Sequence, residues 1–335
     1  MGTVAAIALT GGAAFAAEGD TLAQVKQRGE LICGVHTGLA GFAAPDANGN
    51  WSGFDVAFCK ALAAAVLGDA TKVRYVPTTG QTRFTALSSG EVDVLARNST
   101  WTFSRDTDLK LDFVGVNYYD GQGFMVRRDL GVTSAKELDG ATICIQTGTT
   151  TELNLADYFR ANNMNYQPVN IDTSAEGEQQ YIAGACDAYT TDASGLASLR
   201  AAFADPENHV ILPEIISKEP LGPAVRHGDS NWADIARWTL YALIAAEEYG
   251  VTSANIDELA ANSGNPDVQR LLGSTDNLGA MIGLDAEWAK RAIKASGNYG
   301  EIFASTIGEQ TPIGLARGLN AQWTQGGLQY AMPFR

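Results

Sequence analysis

The sequence has few of the residues on which metal-dependent and nucleotide-dependent enzymes rely. Its three histidines, His36, His209 and His227, are far apart and form no HExxH pattern. The sequence also contains no GxSxG nucleophile elbow and no Walker-type glycine loop. These absences disfavour a catalytic metal centre, a serine hydrolase and a P-loop nucleotide site, and we expect no metal and no cofactor.

Basic charge is also scarce, with 23 Lys and Arg against 38 Asp and Glu and a formal net charge of -15. No basic stripe is present to neutralise phosphates, so nucleic acid and anionic membrane surfaces are disfavoured as partners. Beyond the first residues, no apolar run approaches the roughly 20 residues needed to cross a bilayer. The 335 residues, 45% of them hydrophobic, allow two lobes with large cores, and we expect a soluble globular protein.

The N-terminal segment predicts export. An Ala-rich apolar run over residues 4–17 ends in Ala14-Phe15-Ala16, a small-x-small pattern suited to signal peptidase. We predict that residues 1–17 are a signal peptide or, because no Lys or Arg precedes the run, its remnant; a disordered Ala-rich tail is the alternative. The four cysteines are even in number and lack CxxC spacing, which in an exported chain favours two structural disulfides: Cys33, Cys59, Cys144 and Cys186.

Strand and helix patterns alternate along most of the chain, which predicts an α/β fold with a parallel sheet covered by helices. A strand at 142–146 followed by a helix at 150–162 is one such unit. The sequence ICGVHTG at 32–38 resembles ICIQTG at 143–148, which favours two lobes of similar build, although segments this short can match by chance. The apolar runs at 113–126 are a candidate connection between the lobes.

The segment 93–105, DVLARNSTWTFSR, has the character of a site. It starts as a short apolar strand and continues into a polar, hydroxyl-rich turn that contains Asn98 and Thr100 and ends at Arg105. A loop after a strand lies at the carboxyl edge of the sheet, where open α/β sheets bind ligands. The guanidinium of Arg105 suits a carboxylate, so we infer a binder of a small carboxylate-bearing molecule.

A second polar segment, GTTTE at 148–152, lies between a predicted strand ending at Gln146 and a helix. Its free amides and hydroxyls can receive an anion at the helix N-terminus, but Thr149 or Thr150 can equally be a plain helix cap, with Glu152 completing a capping box. Asp192 follows another strand at the same edge. Its carboxylate complements an ammonium group, and its alternative role is to cap the helix at 194–202.

Two further residues are weaker candidates. Phe42 lies in a glycine-containing loop after the first strand and could form an apolar wall, or it could pack in the core. Arg83 stands at the start of a short helix and could reach an acidic group on a ligand, although a solvated position on the helix surface is the simpler interpretation.

Taken together, these motifs resemble the periplasmic solute-binding proteins of polar and general amino-acid ABC importers, in particular the general L-amino-acid-binding branch. The resemblance covers nearly the whole chain after the leader. It is carried by the segments WSGFDV at 51–56, GEVDVLARN at 90–98, YYDGQGF at 118–124, QTGTTTE at 146–152, TTD at 190–192, GNYGEIF at 297–303 and RGLN at 317–320.

The resemblance implies a type II periplasmic-binding-protein fold, in which two α/β lobes are joined by a two-strand hinge and the ligand cleft lies between them. We place lobe 1 at residues 18–123 and 221–335 and lobe 2 at 124–220. By the same resemblance, Arg105 grips the ligand α-carboxylate with support from Thr150, and Asp192 holds the α-ammonium.

The contacts expected of Asn98, Thr100 and Phe42 also come from the resemblance. Asn98 and Thr100 complete the ammonium site, although relatives often have Ser where this chain has Asn98. Phe42 packs over the ligand, while Thr149, Gln146 and Arg83 are further candidate contacts. Within the two lobes we predict disulfides that do not obstruct hinge motion, and we pair Cys33 with Cys59 and Cys144 with Cys186.

The function expected from this resemblance is capture of an L-amino acid in the periplasm and its delivery to an inner-membrane ABC permease by a monomeric protein that is not an enzyme. An enzyme related to cyclohexadienyl and arogenate dehydratases is the main alternative. That chemistry needs a general acid, and the candidate residues offer only Asp192. We expect no receptor-sensor role, because no transmembrane segment follows Arg335.

Overall fold

Helices and strands alternate as predicted in the computed structural model, which describes residues 20–335. The signal peptide predicted at 1–17 lies outside the described residues. The strands are β1 Leu31–His36, β2 Ala44–Pro45, β3 Trp51–Ser52, β4 Val73–Thr78, β5 Val94–Leu95, β6 Leu111–Phe113, β7 Tyr118–Asp120, β8 Gln122–Arg127, β9 Thr142–Gln146, β10 Gln167–Ile171, β11 Ala188–Asp192, β12 His209–Ile211, β13 Glu219–Leu221 and β14 Ala224–Arg226. The helices are α1 Thr21–Arg28, α2 Phe54–Leu67, α3 Arg83–Ser88, α4 Phe103–Thr107, α5 Thr150–Ala161, α6 Ser174–Ile182, α7 Ala193–Ala202, α8 Ser230–Glu248, α9 Ile256–Asn262, α10 Pro266–Leu271, α11 Trp288–Ser296 and α12 Tyr299–Thr306.

The first lobe is built on a five-stranded sheet of order β4-β1-β5-β14-β6. All six residues of β1 are buried, and β1 pairs in parallel with β4 and β5. Strand β14 runs antiparallel to both of its neighbours, so the prediction of a parallel sheet is wrong and the sheet is mixed. Strand β14 follows the return of the chain from the second lobe, and its direction is set by that return rather than by its own three residues.

Helix α2 covers this sheet. It begins after Gly53, carries Asp55 in its first turn and ends at Gly68, whose φ of 75° is the left-handed conformation that glycine adopts readily at a helix end. Nearly all of its side chains are buried, because it packs against β1 on one side and against α8 and α11 on the other. A disulfide joins Cys33 of β1 to Cys59 of α2, the pairing that the sequence analysis expects.

The second lobe repeats this design with a five-stranded sheet of order β10-β9-β11-β8-β12. Strands β9, β10 and β11 are parallel, whereas β8 is antiparallel to β11 and β12, so this sheet is also mixed. The second disulfide joins Cys144 of β9 to Cys186, just before β11. Each disulfide therefore lies within one lobe.

Two strands connect the lobes. Strand β7 pairs antiparallel with β13, and the two form a separate two-stranded sheet between the larger ones. The chain enters the second sheet at Gln122, two residues before the boundary of 124 expected from the sequence, and it returns through β13. Two chain crossings of this kind permit hinge bending between the lobes.

The C-terminal segment after α8 packs on the first lobe and reaches the hinge. The side-chain amide of Asn320 accepts a hydrogen bond from the backbone N–H of Tyr119 at 2.7 Å and donates one to its carbonyl at 3.1 Å. The hydroxyl of Tyr299 donates to the carbonyl of Asn117 at 2.8 Å, just before β7. These hydrogen bonds attach the C-terminal segment to strand β7 of the hinge and to the residue before it. Within residues 20–335, no helix has both the length and the apolar character needed to cross a membrane.

Candidate functional site

The carboxyl ends of strands from both sheets face one another across a cleft. Strands β1 and β5 contribute the loops of the first lobe, and β9 and β11 contribute those of the second. They enclose a small cavity lined by His36, Leu39, Arg83, Arg97, Asn98, Thr100, Gln146, Thr149, Thr150, Thr151, Ser174, Thr191, Asp192, Gly195 and Leu199. The cavity thus lies where open α/β sheets bind ligands.

The two lobes touch on several sides of this cavity. The Nε2 of His36 lies 3.2 Å from the hydroxyl of Ser174, and the hydroxyls of Thr100 and Thr150 are 3.3 Å apart. On a third side, the side-chain amide of Gln81 donates to Thr147 Oγ1 at 2.5 Å. Because each contact joins residues of different lobes, the structure shows the cleft closed.

The loop after β5 forms the floor of the cavity and is held from below. Asn98 has a φ of 34°, an uncommon conformation that a short polar side chain tolerates. Its N–H donates to the carboxylate of Asp55 at 3.3 Å, and burial raises the pKa of Asp55 to about 6. The side-chain oxygen of Asn98 is buried and has no hydrogen-bond partner within residues 20–335. This oxygen is available to accept a hydrogen bond from a ligand.

Arg105 is positioned by the turn that starts α4. The hydroxyl of Thr102 accepts a hydrogen bond from the Arg105 N–H at 3.3 Å, which is a normal N-cap. The guanidinium is buried, donates to the carbonyl of Thr100 at 2.8 Å and lies 4.9 Å from the ring centre of Phe84. Arg105 does not line the cavity itself but an adjoining open pocket, to which Thr149 and Thr150 also contribute. Arg105 therefore lies beside the cavity, and Thr149 and Thr150 are shared between the cavity and the pocket that Arg105 lines.

The second-lobe threonines are oriented by the end of β9. Thr149 occupies the N-cap position of α5, but its hydroxyl donates to the carbonyl of Gln146 at 2.7 Å and makes no capping bond within the described chain. Glu152 accepts from the N–H of Gly148 at 3.3 Å, so the expected capping box with Thr149 is not formed. The proton of the Thr149 hydroxyl is therefore used within the loop. Both Thr149 and Thr150 line the cavity.

Asp192 closes the far end of the cavity. It is the N-cap residue of α7, yet its side chain makes no capping hydrogen bond within the described chain, so the cap interpretation is not realised. Burial, reinforced by the negative charges of Asp120 and Glu219, raises the pKa of Asp192 well above its usual range, while Arg83 and Arg105 oppose the shift. A buried carboxylate of this kind gains most from a cation brought next to it.

Two arginines of the first lobe reach the cavity. Arg83, a candidate ligand contact for which a solvated helix position was the simpler expectation, is 2% exposed, and its Nη1 lies 3.3 Å from both the carbonyl of Asn98 and the hydroxyl of Ser99. That expectation is wrong because α3 turns its first residue inward, beneath the loop. Arg97 donates from Nε to the carbonyl of Thr78 at 3.1 Å.

Both guanidiniums retain unused donors. The Nε of Arg83 and the Nη2 of Arg97 are buried without a hydrogen-bond partner anywhere in residues 20–335. Burial lowers the pKa of Arg97 to about 10, and burial together with the charges of Arg97 and Arg105 lowers that of Arg83. Two crowded cations with free N–H groups form a subsite for a hydrogen-bond acceptor, and preferably for an anion.

Phe42 does not occupy the position expected for it. It is 1% exposed and packs in the core of the first lobe, with its ring edge-on to Phe54 at 6.0 Å and to Tyr118 at 5.7 Å. Leu39, from the same loop, lines the cavity instead. Gly38 directly precedes Leu39 and Gly41 directly precedes Phe42, and both glycines have a positive φ. The backbone path through these glycines decides which apolar side chain faces the cleft.

Eight lining residues were not among the candidates from the sequence: His36, Leu39, Arg97, Thr151, Ser174, Thr191, Gly195 and Leu199. His36 ends β1 and Arg97 follows β5 at the same kind of sheet edge as Asp192, and this rule could have found both. Burial, with the charges of Arg97 and Arg83, lowers the pKa of His36 well below its usual value, and its Nδ1 accepts from the N–H of Gly38 at 3.1 Å. His36 is therefore neutral and donates from Nε2 toward Ser174. Within the described residues, no cluster of three or more His, Cys, Asp or Glu could hold a metal ion.

Comparison with known proteins places this geometry in context. The chain is 71% identical, over 100% of its length and 98% of the relative's, to the glutamate/glutamine/aspartate/asparagine-binding protein BztA of Rhodobacter capsulatus. It is 61% identical, over 96% of its length and 95% of the relative's, to the general L-amino acid-binding periplasmic protein AapJ of Rhizobium johnstonii.

A solved structure from Brucella ovis, an ABC transporter/periplasmic binding protein with glutathione bound, superimposes with a TM-score of 0.92 at 58% identity and covers 94% of this chain and 99% of its own. The type II fold expected from the sequence is thereby confirmed. The sequence model of the bacterial extracellular solute-binding proteins, family 3, matches residues 31–255. From the match of its sequence and its fold, the chain belongs to the bacterial extracellular solute-binding proteins, family 3.

Proposed function

We propose that this protein binds L-amino acids whose side chains carry a carboxylate or an amide, and that it delivers them to an ABC permease. The observation that carries the proposal is the pair of buried, unpartnered N–H groups on Arg83 and Arg97, two residues that line the same cavity as Asp192. A free α-amino acid has one ammonium and one carboxylate. An acidic or amide side chain supplies the further acceptor that these two arginines lack.

The backbone groups of the ligand are held by the residues named from the sequence. We assign the α-ammonium to Asp192, with the unpartnered side-chain oxygen of Asn98 as a second acceptor and the hydroxyl of Thr100 nearby. We assign the α-carboxylate to the part of the cavity lined by Thr150, next to the pocket that contains Arg105. The hydroxyls of Thr100 and Thr150 are 3.3 Å apart across the cleft, so the two subsites adjoin, as an ammonium and a carboxylate on the same Cα require.

The side chain of the ligand then points to the remaining lining residues. Arg83 and Arg97 supply donors on the first-lobe side, His36 supplies a neutral polar group, and Leu39 contributes apolar surface. Gln146 lines the second-lobe side, with its amide donating to the carbonyl of Asp172 at 2.8 Å. A buried cationic subsite favours glutamate and aspartate, while glutamine and asparagine offer a weaker carbonyl acceptor.

The printed names of relatives support this class of ligand. The Rhodobacter relative is named for glutamate, glutamine, aspartate and asparagine, and the Rhizobium relative for L-amino acids in general. Glutathione, bound to the Brucella protein, also carries an ammonium, carboxylates and amides. These relatives are described as binding proteins, so we propose binding without catalysis, and the dehydratase alternative has no observation of its own in this cleft.

The mechanism that we propose is ligand-linked closure. The lobes, divided at 18–123 with 221–335 and at 124–220, rotate about β7 and β13, and the ligand binds more tightly to the closed state because both walls contact it. We propose that the closed monomer in the periplasm is the form that an inner-membrane permease recognises. No metal or cofactor takes part.

The subsite is tested by calorimetry on protein that has been unfolded, stripped of ligand and refolded. In Arg83→Gln, we expect the Kd for glutamate and aspartate to rise by 10-fold or more, because a buried charge-assisted hydrogen bond of about 1.5–3 kcal/mol is lost. The Kd for alanine should change by less than about 3-fold. Arg105→Ala should weaken both ligands.

Arg74→Gln is the matched control, because Arg74 is an exposed arginine on β4 paired with Glu30. It should leave every affinity unchanged. Equal losses for alanine and glutamate in Arg83→Gln would contradict the side-chain assignment, and no binding of any L-amino acid by the unaltered protein would contradict the proposed function.

A further inference from the structure

Glu219 is a buried carboxylate that the ligand assignments do not use. It is 1% exposed and stands at the start of β13, one of the two strands that connect the lobes. Within residues 20–335, no Lys, Arg or His nitrogen lies within the 4.0 Å of an ion pair with it. Arg105 and Arg83 act on the charge of Glu219 only from beyond this distance, so its direct contacts are hydrogen bonds.

Four donors supply these bonds, and they come from both lobes. Thr100 of the first lobe and Thr150 of the second donate to one carboxylate oxygen, at 2.5 and 2.9 Å. Asn154 of α5 and Ser217 donate to the other oxygen, at 2.7 and 2.6 Å. The four lone-pair positions of the carboxylate are therefore all occupied in the closed arrangement.

The backbone around Glu219 is attached to the first lobe. The carbonyl of Pro220 accepts from the N–H of Trp101 at 2.8 Å, and the N–H of Gly222 donates to the carbonyl of Ser99 at 3.0 Å. The division at residue 220 counts Glu219 with the second lobe, but these bonds keep it with the first lobe and with Thr100 when the lobes separate. Its bonds from Thr150 and Asn154 exist only while the second lobe is docked.

From this geometry we propose that Glu219 is a latch that stabilises the closed state by receiving hydrogen bonds from α5 across the cleft, and that it thereby sets the affinity for all ligands together. The inference rests on the proposed function for its ligands. A ligand that binds only the closed state has an apparent Kd that is divided by the closed fraction, so weakening a latch raises every Kd by one common factor. A residue that touches the ligand side chain raises them selectively.

The test combines two variants with a control. Glu219→Gln keeps the shape but cannot accept all four bonds, and Asn154→Ala removes one latch bond at a residue that does not line the cavity. Glu214→Gln is the matched control, because Glu214 accepts from Ser134 and Ala135 within the second lobe only. Calorimetry gives the Kd for glutamate, glutamine and alanine, and small-angle X-ray scattering of stripped protein gives the radius of gyration with and without saturating glutamate.

We expect Glu219→Gln to raise all three Kd values by the same factor, about 10-fold for charge-assisted bonds, and Asn154→Ala by a smaller common factor. Without ligand, both variants should have a larger radius of gyration than the unaltered protein, and saturating glutamate should abolish the difference. Glu214→Gln should match the unaltered protein.

A loss confined to one ligand, or identical scattering of all variants without ligand, would overturn the latch. If the unaltered protein bound no amino acid, the proposed function would fail, while the scattering of ligand-free variants would still decide whether Glu219 favours closure.

Discussion

Replacing Asp192 by asparagine is expected to have opposite effects on ligand affinity and on the stability of the ligand-free protein. The substitution keeps the size of the side chain and removes its charge. In the proposed complex this leaves the ligand ammonium buried without its counter-ion, which typically costs about 2–5 kcal/mol. Asn98 and Thr100 still offer acceptors, so we take roughly 3 kcal/mol, or about a 150-fold rise in Kd.

The ligand-free protein should gain stability from the same substitution. Burial and the charges of Asp120 and Glu219 raise the pKa of Asp192 in the folded state, so its ionised form is disfavoured there relative to the unfolded chain. A raised folded-state pKa gives a contribution that is complete below the unfolded pKa and is lost as pH rises through the folded pKa. Asp192→Asn should therefore match the unaltered protein near pH 4 and exceed it in Tm increasingly toward pH 7.

Ligand affinity supplies the third measurement. The ammonium requires ionised Asp192, so affinity of the unaltered protein should fall as pH drops through the raised pKa, with proton release on binding. Burial also raises the pKa of Asp120 to about 6, so part of the pH dependence belongs to Asp120 and persists in the variant. In Asp192→Asn the slope attributable to Asp192 should be absent. Unchanged affinity at pH 7, or a variant less stable than the unaltered protein at every pH, would refute the assignment.

Two further predictions concern the core and the disulfides. Phe42→Ala should lower the free energy of unfolding by about 3–5 kcal/mol and leave the ratios of Kd among ligands unchanged, whereas Leu39→Ala should change those ratios; altered ratios in Phe42→Ala would return that residue to the ligand wall. Replacing Cys144 and Cys186 together by serine opens a link with a sequence separation of 42 residues, so denaturant unfolding should report a loss of roughly 4 kcal/mol, and a loss below about 1 kcal/mol would contradict this reasoning.

The sequence predicts the structure best where residues that are close together in the chain determine it, as at the ends of strands. Strand β9 has the bounds predicted for it, because its continuous apolar run Ile143-Cys144-Ile145 is followed by a glycine turn and a threonine-rich helix start. Asp192 was found because a polar residue directly after a buried strand lies at the sheet edge. The same rule applied to His36 and Arg97 would have completed the first-lobe side of the cavity.

The sequence did not predict features that depend on contacts between residues far apart in the chain. Phe42 and Leu39 are both apolar residues of one glycine-containing loop, and only its folded path separates core from cleft. The inward turn of Arg83 depends on how α3 packs under the next loop. Glu219 stands in a short hinge strand, and its donors are 65 to 119 residues away in sequence apart from Ser217, so no local pattern marks it.

The positive cavity also has a consequence for the speed of capture. The chain carries a formal net charge of -15, whereas the guanidiniums of Arg83 and Arg97 are buried inside the cleft. An acidic amino acid approaching from solution is repelled at long range by the net negative charge of the protein. At short range it is attracted by the two buried guanidiniums. Salt screens the long-range repulsion much more than the short-range attraction. The association rate constant for glutamate should therefore rise with ionic strength, the reverse of the usual behaviour of an electrostatically steered ligand, while that for alanine stays nearly constant.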